Sequence, residues 1–122
     1  MEHLEGALRP YPWGSHTLIA QLRGEPSPSP QPQAELWFGA HPAAPATIDG
    51  EGLDEIIADD PADELGPQVR GRYGDSLPFL LKILAASEPL SLQAHPTLAQ
   101  AKEGFAAENE RGIPPTARHR NY

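Results

Sequence analysis

The chain has 122 residues, enough for one domain with a single modest core, and 39% hydrophobic against 21% charged residues is the balance of a folded soluble protein. A formal net charge of −8, from 17 acidic and 9 basic residues, excludes the broad basic face that nucleic acid or an anionic membrane surface would need; a small phosphorylated molecule needs only one or two local cations. There is no cysteine, so disulfides and thiolate metal sites are excluded and any metal must sit on His, Asp, Glu or Gln.

The chain opens without a basic stretch leading into an apolar core, and its longest apolar run falls far short of the ~20 residues that span a bilayer. The cytoplasm is the expected compartment. Fifteen prolines and eleven glycines imply many turns and short strands. Residues 8–19 carry Tyr11, Trp13, Thr17, Leu18 and Ile19, broken by Pro12 and Gly14. They read as a short strand, a Pro-Trp-Gly turn and a brief second element. Residues 24–33 read GEPSPSPQPQ, with proline at 26, 28, 30 and 32. Such a stretch cannot pair in a sheet and is expected as an extended surface loop, with a ligand for a proline-binding module as the alternative.

Residues 34–41 (AELWFGAH) form a strand candidate ended by Pro42. Ala46 to Ile48 can pair with a neighbour, and Asp49-Gly50 supplies a turn. Leu53, Ile56 and Ile57 show helical spacing, ending near Pro61, and a second helix is expected over residues 62–72. Residues 79–84 read as a buried strand, Ser87-Glu88-Pro89 as a turn, and residues 90–95 as another strand. Thr97 then looks like a helix cap, with Gln100 completing a capping box. That helix carries Leu98, Ala101 and Phe105 on one face and should end near Gly112. Strands, helices, strands, helix is the order of an α+β chain or of helices inserted into a β scaffold.

The alternation in residues 90–95 places Ser91, Gln93 and His95 on one polar face of the expected strand, with Leu90, Leu92 and Ala94 toward a core. An imidazole nitrogen from His95 and an amide oxygen from Gln93 are workable ligands for one ion. A Gln-x-His pair can equally be a hydrogen-bonded polar pair, and zinc takes three or four protein ligands. His3, His16, His41 and His119 fall in no metal-like cluster. Lys82 interrupts an apolar run, either snorkelling at a rim or facing a cleft where it could bind phosphate or steady an oxyanion. Glu35 is a strand-face carboxylate, and Trp13 could line a sugar site; each is open to a purely structural reading.

Three blocks in order carry a resemblance: YPWGS at residues 11–15, AELWFGAHP at 34–42, and LPFLLKILAASEPLSLQAHP at 77–96. They resemble the N-terminal portion of type I mannose-6-phosphate isomerases, also called phosphomannose isomerases. GFAAENERGIP at 104–114 and the closing RNY look like the bacterial form. The resemblance implies a mainly β fold with helical insertions, a cupin-type jelly-roll barrel left incomplete over residues 1–122. It implies zinc, one ion per full-length subunit, and reversible interconversion of D-mannose 6-phosphate and D-fructose 6-phosphate through an enediol, which supplies mannose for GDP-mannose. The full-length protein is expected as a monomer acting on a small sugar phosphate. The family's first two zinc ligands fall on Gln93 and His95, and further active-site groups fall on Trp13, Glu35, Lys82 and Ser91.

In the family, RNY is followed closely by a glutamate ligand with a neighbouring lysine, and much later by a histidine ligand and a catalytic arginine. None of these is present up to Tyr122, so residues 1–122 are expected to be a fragment, inactive alone. A non-catalytic sugar-phosphate-binding module or remnant is the alternative, and an interaction protein using its acidic surface and proline-rich loop a third.

Overall fold

β1 (Leu4–Glu5) and β2 (Ala7–Arg9) are one extended stretch interrupted at Gly6. A Cβ at Gly6 would stand 2.8 Å from the Phe38 ring, so any side chain there would make that ring shift. The two short strands go to different sheets. The computed structural model describes residues 2–92 and 94–121, in two units, Met1–Leu90 and Ser91–Tyr122.

In the first unit, β3 (Glu35–Phe38) is the centre of a three-stranded antiparallel sheet, with β2 on one side and β6 (Leu81–Leu84) on the other. Leu8 pairs with Leu36, and Leu36 with Ile83. These residues and Phe38 share one face and pack with Ile19 and Ala85 into the core. Ile19 comes from α1 (Leu18–Leu22), a single helical stretch whose first N–H groups, on Thr17 and Leu18, are taken by Ser15 Oγ at 3.1 and 3.2 Å. The side chain of Ile19 is 1% exposed, a burial that stabilises by roughly 1.5–3 kcal/mol.

The loop at residues 24–33 lies between α1 and β3, as expected, but it is tied down rather than free in solvent. Ser29 is buried, its N–H and Oγ both donate to His16 O, and His16 Nδ1 sits 2.7 Å from Ser29 O. Beyond β3, β4 (Thr47–Ile48) and β5 (Glu51–Gly52) form a hairpin to which β1 adds as the third strand. Its two turn residues, Asp49 (φ 51°) and Gly50 (φ 90°), are the left-handed pair such tight hairpins demand.

Two helices follow, α2 (Leu53–Asp59), which buries Ile57, and α3 (Pro61–Tyr73). Asp60 caps α3 by accepting from the Asp63 N–H at 3.1 Å, and Pro61 occupies its first turn. The helix expected over residues 62–72 is present as α3, with a kink at Gly66 (φ 70°), where Pro67 removes a donor and crowds the preceding turn. The buried strand expected over residues 79–84 is corrected. It starts at Leu81, and Phe79, Leu81 and Leu84 are more than half exposed. β6 is an edge strand, with β3 as its one neighbour among the described residues.

The strand expected over residues 90–95 does not form. Leu90, Ser91, Leu92, Ala94 and His95 are exposed and lie in no strand, and Leu92 is 103% exposed rather than turned into a core. An alternating pattern makes a strand only where a sheet edge accepts its backbone groups, and the described residues of this stretch pair with no strand. Gln93 lies outside the described residues.

The second unit is built around α4 (Leu98–Glu110). The Thr97–Gln100 capping box is present: Gln100 N–H donates to Thr97 Oγ1 at 3.3 Å and Thr97 N–H to Gln100 Oε1 at 2.9 Å. At the other end Gly112 (φ 68°) closes a Schellman motif, with Ile113 N–H on Glu108 O and Gly112 N–H on Asn109 O. More residues lie in helices than in strands, but the two small antiparallel sheets frame the first unit, and no closed barrel exists among the described residues.

Candidate functional site

The strand register that builds the core also builds a polar face. Successive side chains alternate, so Arg9, Glu35, Trp37 and Lys82 stand opposite Leu8, Leu36 and Ile83. Arg9 is paired with Glu35, and Trp37 with Lys82. Glu35 and Trp37 are 8% and 7% exposed. Trp37 Nε1–H donates to Glu35 Oε2 at 2.5 Å, and Lys82 Nζ lies 3.5 Å from that same oxygen. The Lys82 ammonium also sits 4.2 Å from the Trp37 ring centre, and the Arg9 guanidinium 5.1 Å from it. The edge of His41 meets the ring at 5.2 Å.

The Lys82 side chain is 36% exposed, so its ion pair with Glu35 contributes at most about 1 kcal/mol. Contact with the indole face, worth about 0.5–2 kcal/mol, and the directly opposed strand position hold the ammonium as firmly as the charge does. Two cations against one carboxylate leave this face locally positive in a chain of net charge −8. That is the electrostatic setting a small anion requires.

Trp13 belongs to the same unit. Its turn is stitched at both ends: Gly14 N–H donates to Tyr11 O at 2.9 Å, while Ser87 N–H and Oγ both donate to Trp13 O. Gly14 passes so close to β3 that a Cβ would stand 2.5 Å from Ala34 N. Trp13 stacks on Tyr11 with ring centres 5.7 Å apart and planes 21° from parallel. Tyr11 Oη in turn accepts from Arg9 Nε at 3.2 Å. A chain of contacts thus runs from Trp13 through Tyr11 and Arg9 to Trp37, Glu35 and Lys82.

Ser91 and His95 lie in the second unit, both exposed, just ahead of the capped start of α4. Among the described residues no hydrogen bond or ion pair engages the His95 ring, and no group of three or more His, Asp or Glu side chains could hold a metal ion. At the far end of α4, Glu108 and Arg120 are buried together, Nε to Oε2 3.5 Å, with side chains 7% and 4% exposed. Glu108 accepts from Asn121 N–H at 3.0 Å. Arg120 donates to Asn109 Oδ1 and to Ile113 O, and lies over the Phe105 ring.

The structure therefore brings Glu35 and Lys82 together, with Trp13 on the same unit. Sequence reasoning did not single out Trp37, Arg9 or Tyr11. The two-residue spacing of Glu35 and Trp37 on a strand was the available signal, and the cross-strand partners could not be read without a register.

Residues 1–117 match the family model described as phosphomannose isomerase type I, catalytic domain. The mannose-6-phosphate isomerase of Escherichia coli K12 is 43% identical over 127 aligned residues, covering all of this chain and 32% of the relative. The apo crystal structure of mannose 6-phosphate isomerase from Salmonella typhimurium superposes with a TM-score of 0.86 at 43% identity, covering 100% of this chain and 31% of that one. The same enzyme bound to substrate and a zinc atom gives a TM-score of 0.84 at 44% identity, with 100% and 32% covered. The chain spans about a third of the length of the relatives it matches. The expected fold class, cupin-type sheets with helical insertions and an unclosed barrel, agrees with these likenesses.

Proposed function

This chain belongs to the phosphomannose isomerase type I catalytic-domain family, and from that premise we propose that the protein carrying it is a zinc-dependent aldose–ketose isomerase interconverting D-mannose 6-phosphate and D-fructose 6-phosphate. One observation carries the reading: a solved isomerase bound to both zinc and its substrate matches the chain along its whole length at 44% identity.

In this reading Lys82 meets the phosphate or a developing oxyanion, and Ser91 adds a polar contact. The Glu35 carboxylate takes a sugar hydroxyl, and Trp13 offers an aromatic face to the ring. His95 fits a zinc ligand by chemistry, an exposed imidazole with neither nitrogen engaged among the described residues, and Gln93 would add an amide oxygen. Two donors fall short of a zinc site, so the remaining ligands would come from a part of the protein outside residues 1–122. Zinc, when bound, polarises substrate oxygens and orders the sugar. We further propose a cytoplasmic monomer with no nucleic-acid or membrane partner; among the described residues no helix is long and apolar enough to cross a membrane.

The test is a coupled assay of mannose 6-phosphate conversion by the longest natural polypeptide that carries this sequence, before and after chelation and with zinc restored. Turnover that is lost and regained with zinc supports the reading. Sugar-phosphate binding without turnover would replace it with a binding module. The polypeptide of residues 1–122 alone is expected to show neither turnover nor tight stoichiometric zinc binding.

A further inference from the structure

Both contacts made to Glu35 by its neighbours fall on one oxygen. Trp37 Nε1–H and Lys82 Nζ both approach Oε2, and among the described residues no hydrogen bond or ion pair falls on Oε1. Trp37 itself is held on several sides: it is 7% exposed, with Lys82 against its ring centre at 4.2 Å, Arg9 at 5.1 Å and His41 edge-on at 5.2 Å. An indole N–H is a donor only, so its hold on a carboxylate oxygen has one polarity and cannot be reversed by rotation. The same ring gives Lys82, a point charge on a flexible stem, a fixed place beside that carboxylate.

We propose that Trp37 is a positioning residue: its indole N–H fixes the Glu35 carboxylate so that Oε1 is the atom left for a sugar hydroxyl, and its ring keeps the Lys82 ammonium beside it. This rests on the isomerase reading, and it assigns Trp37 a part in setting the geometry of the reacting groups rather than only in filling space. Small misplacements of such groups cost rate more than affinity.

The test replaces Trp37 in the active full-length protein in two ways: Trp37→Phe, which keeps an aromatic face and removes the N–H, and the benzothiophene analogue of tryptophan, which keeps the bicyclic shape and removes only the N–H. A hydrogen bond to a charged group is worth about tenfold to a hundredfold. Both variants should lower kcat by about tenfold or more while KM changes by less than about threefold. A merely structural role would lower the melting temperature and the active fraction and leave kcat per active site unchanged. A kcat within about twofold of the parent, in the folded analogue-bearing protein, overturns the proposal. If the unsubstituted protein turns over no sugar phosphate, the isomerase reading fails by itself. Trp37 is then judged on its indole N–H resonance: Glu35→Ala should move it upfield, and a resonance left in place refutes the inference.

Discussion

Replacing Glu108 by glutamine tests the knot at the end of α4. The change conserves shape, removes the charge that faces Arg120, and leaves one amide oxygen for the Asn121 N–H where the carboxylate offered two. Breaking one side of a buried ion pair costs about 3–5 kcal/mol when the remaining charge is left with nothing. Arg120 keeps Asn109 Oδ1 at 2.8 Å, Ile113 O and the Phe105 ring, so the cost here should be lower. The charge-assisted hydrogen bonds removed set it at about 2 kcal/mol. At 1.4 kcal/mol per decade, that is an approximately 30-fold rise in the population of states in which the closing segment has left the helix. Amide hydrogen exchange read by NMR on the 122-residue polypeptide measures it directly, at the N–H groups of Asn121 and Ile113. Exchange rates within about twofold of the parent would show that the pair contributes nothing net, as some buried pairs do, and would refute the reasoning.

Thr97→Ala removes the cap oxygen that accepts the Gln100 N–H and should cost the second unit about 1 kcal/mol, seen as faster exchange in the first turn of α4. Gly14→Ala forces a methyl against the backbone of Ala34, so the turn must move off β3. Denaturant melts should lose roughly 1–3 kcal/mol, and Trp13 emission should shift as its hydrogen bond from Ser87 is strained. Arg70 donates to Asp75 at 2.6 Å, and this hydrogen bond holds the Asp75 carboxyl below its usual value. A depressed carboxyl contributes stability that is present above its unfolded pKa of about 3.8 and is lost as the pH falls through the lower folded value. Asp75→Asn should therefore lower stability slightly at neutral pH and flatten the acid limb of the stability profile, parent and variant converging in acid; a steeper acid limb would contradict the sign.

Much of the framework was legible because local chemistry decides it. Asp49-Gly50 sets its own turn, Thr97 and Gln100 satisfy each other's backbone within four residues, and Gly112 needs only its own left-handed φ to stop α4. β3 was legible as a strand with Glu35 as its face carboxylate, and Glu35 and Lys82 were singled out without a register, but the place of Trp37 beside Glu35 was not. What failed depended on partners distant in the chain. Residues 90–95 have a strand's pattern, yet the described ones among them pair with no strand, and the apolar run at residues 79–84 became an exposed edge because burial depends on what covers it. Glu108 and Arg120 look like ordinary surface charges in sequence; only the fold-back of residues 113–121 buries them together.

The four residues of β3 divide their work by parity, with Glu35 and Trp37 on the charged side and Leu36 and Phe38 in the core. Parity is indifferent to residue type but unforgiving of count. Substitutions along β3 can be judged one at a time. A single inserted or deleted residue between Gln33 and Leu36 would instead exchange the two sets, driving a carboxylate into the core beside Ile19 and turning its leucine outward. An added residue in the proline-rich loop before Gln33 would alter a bend without inverting a strand.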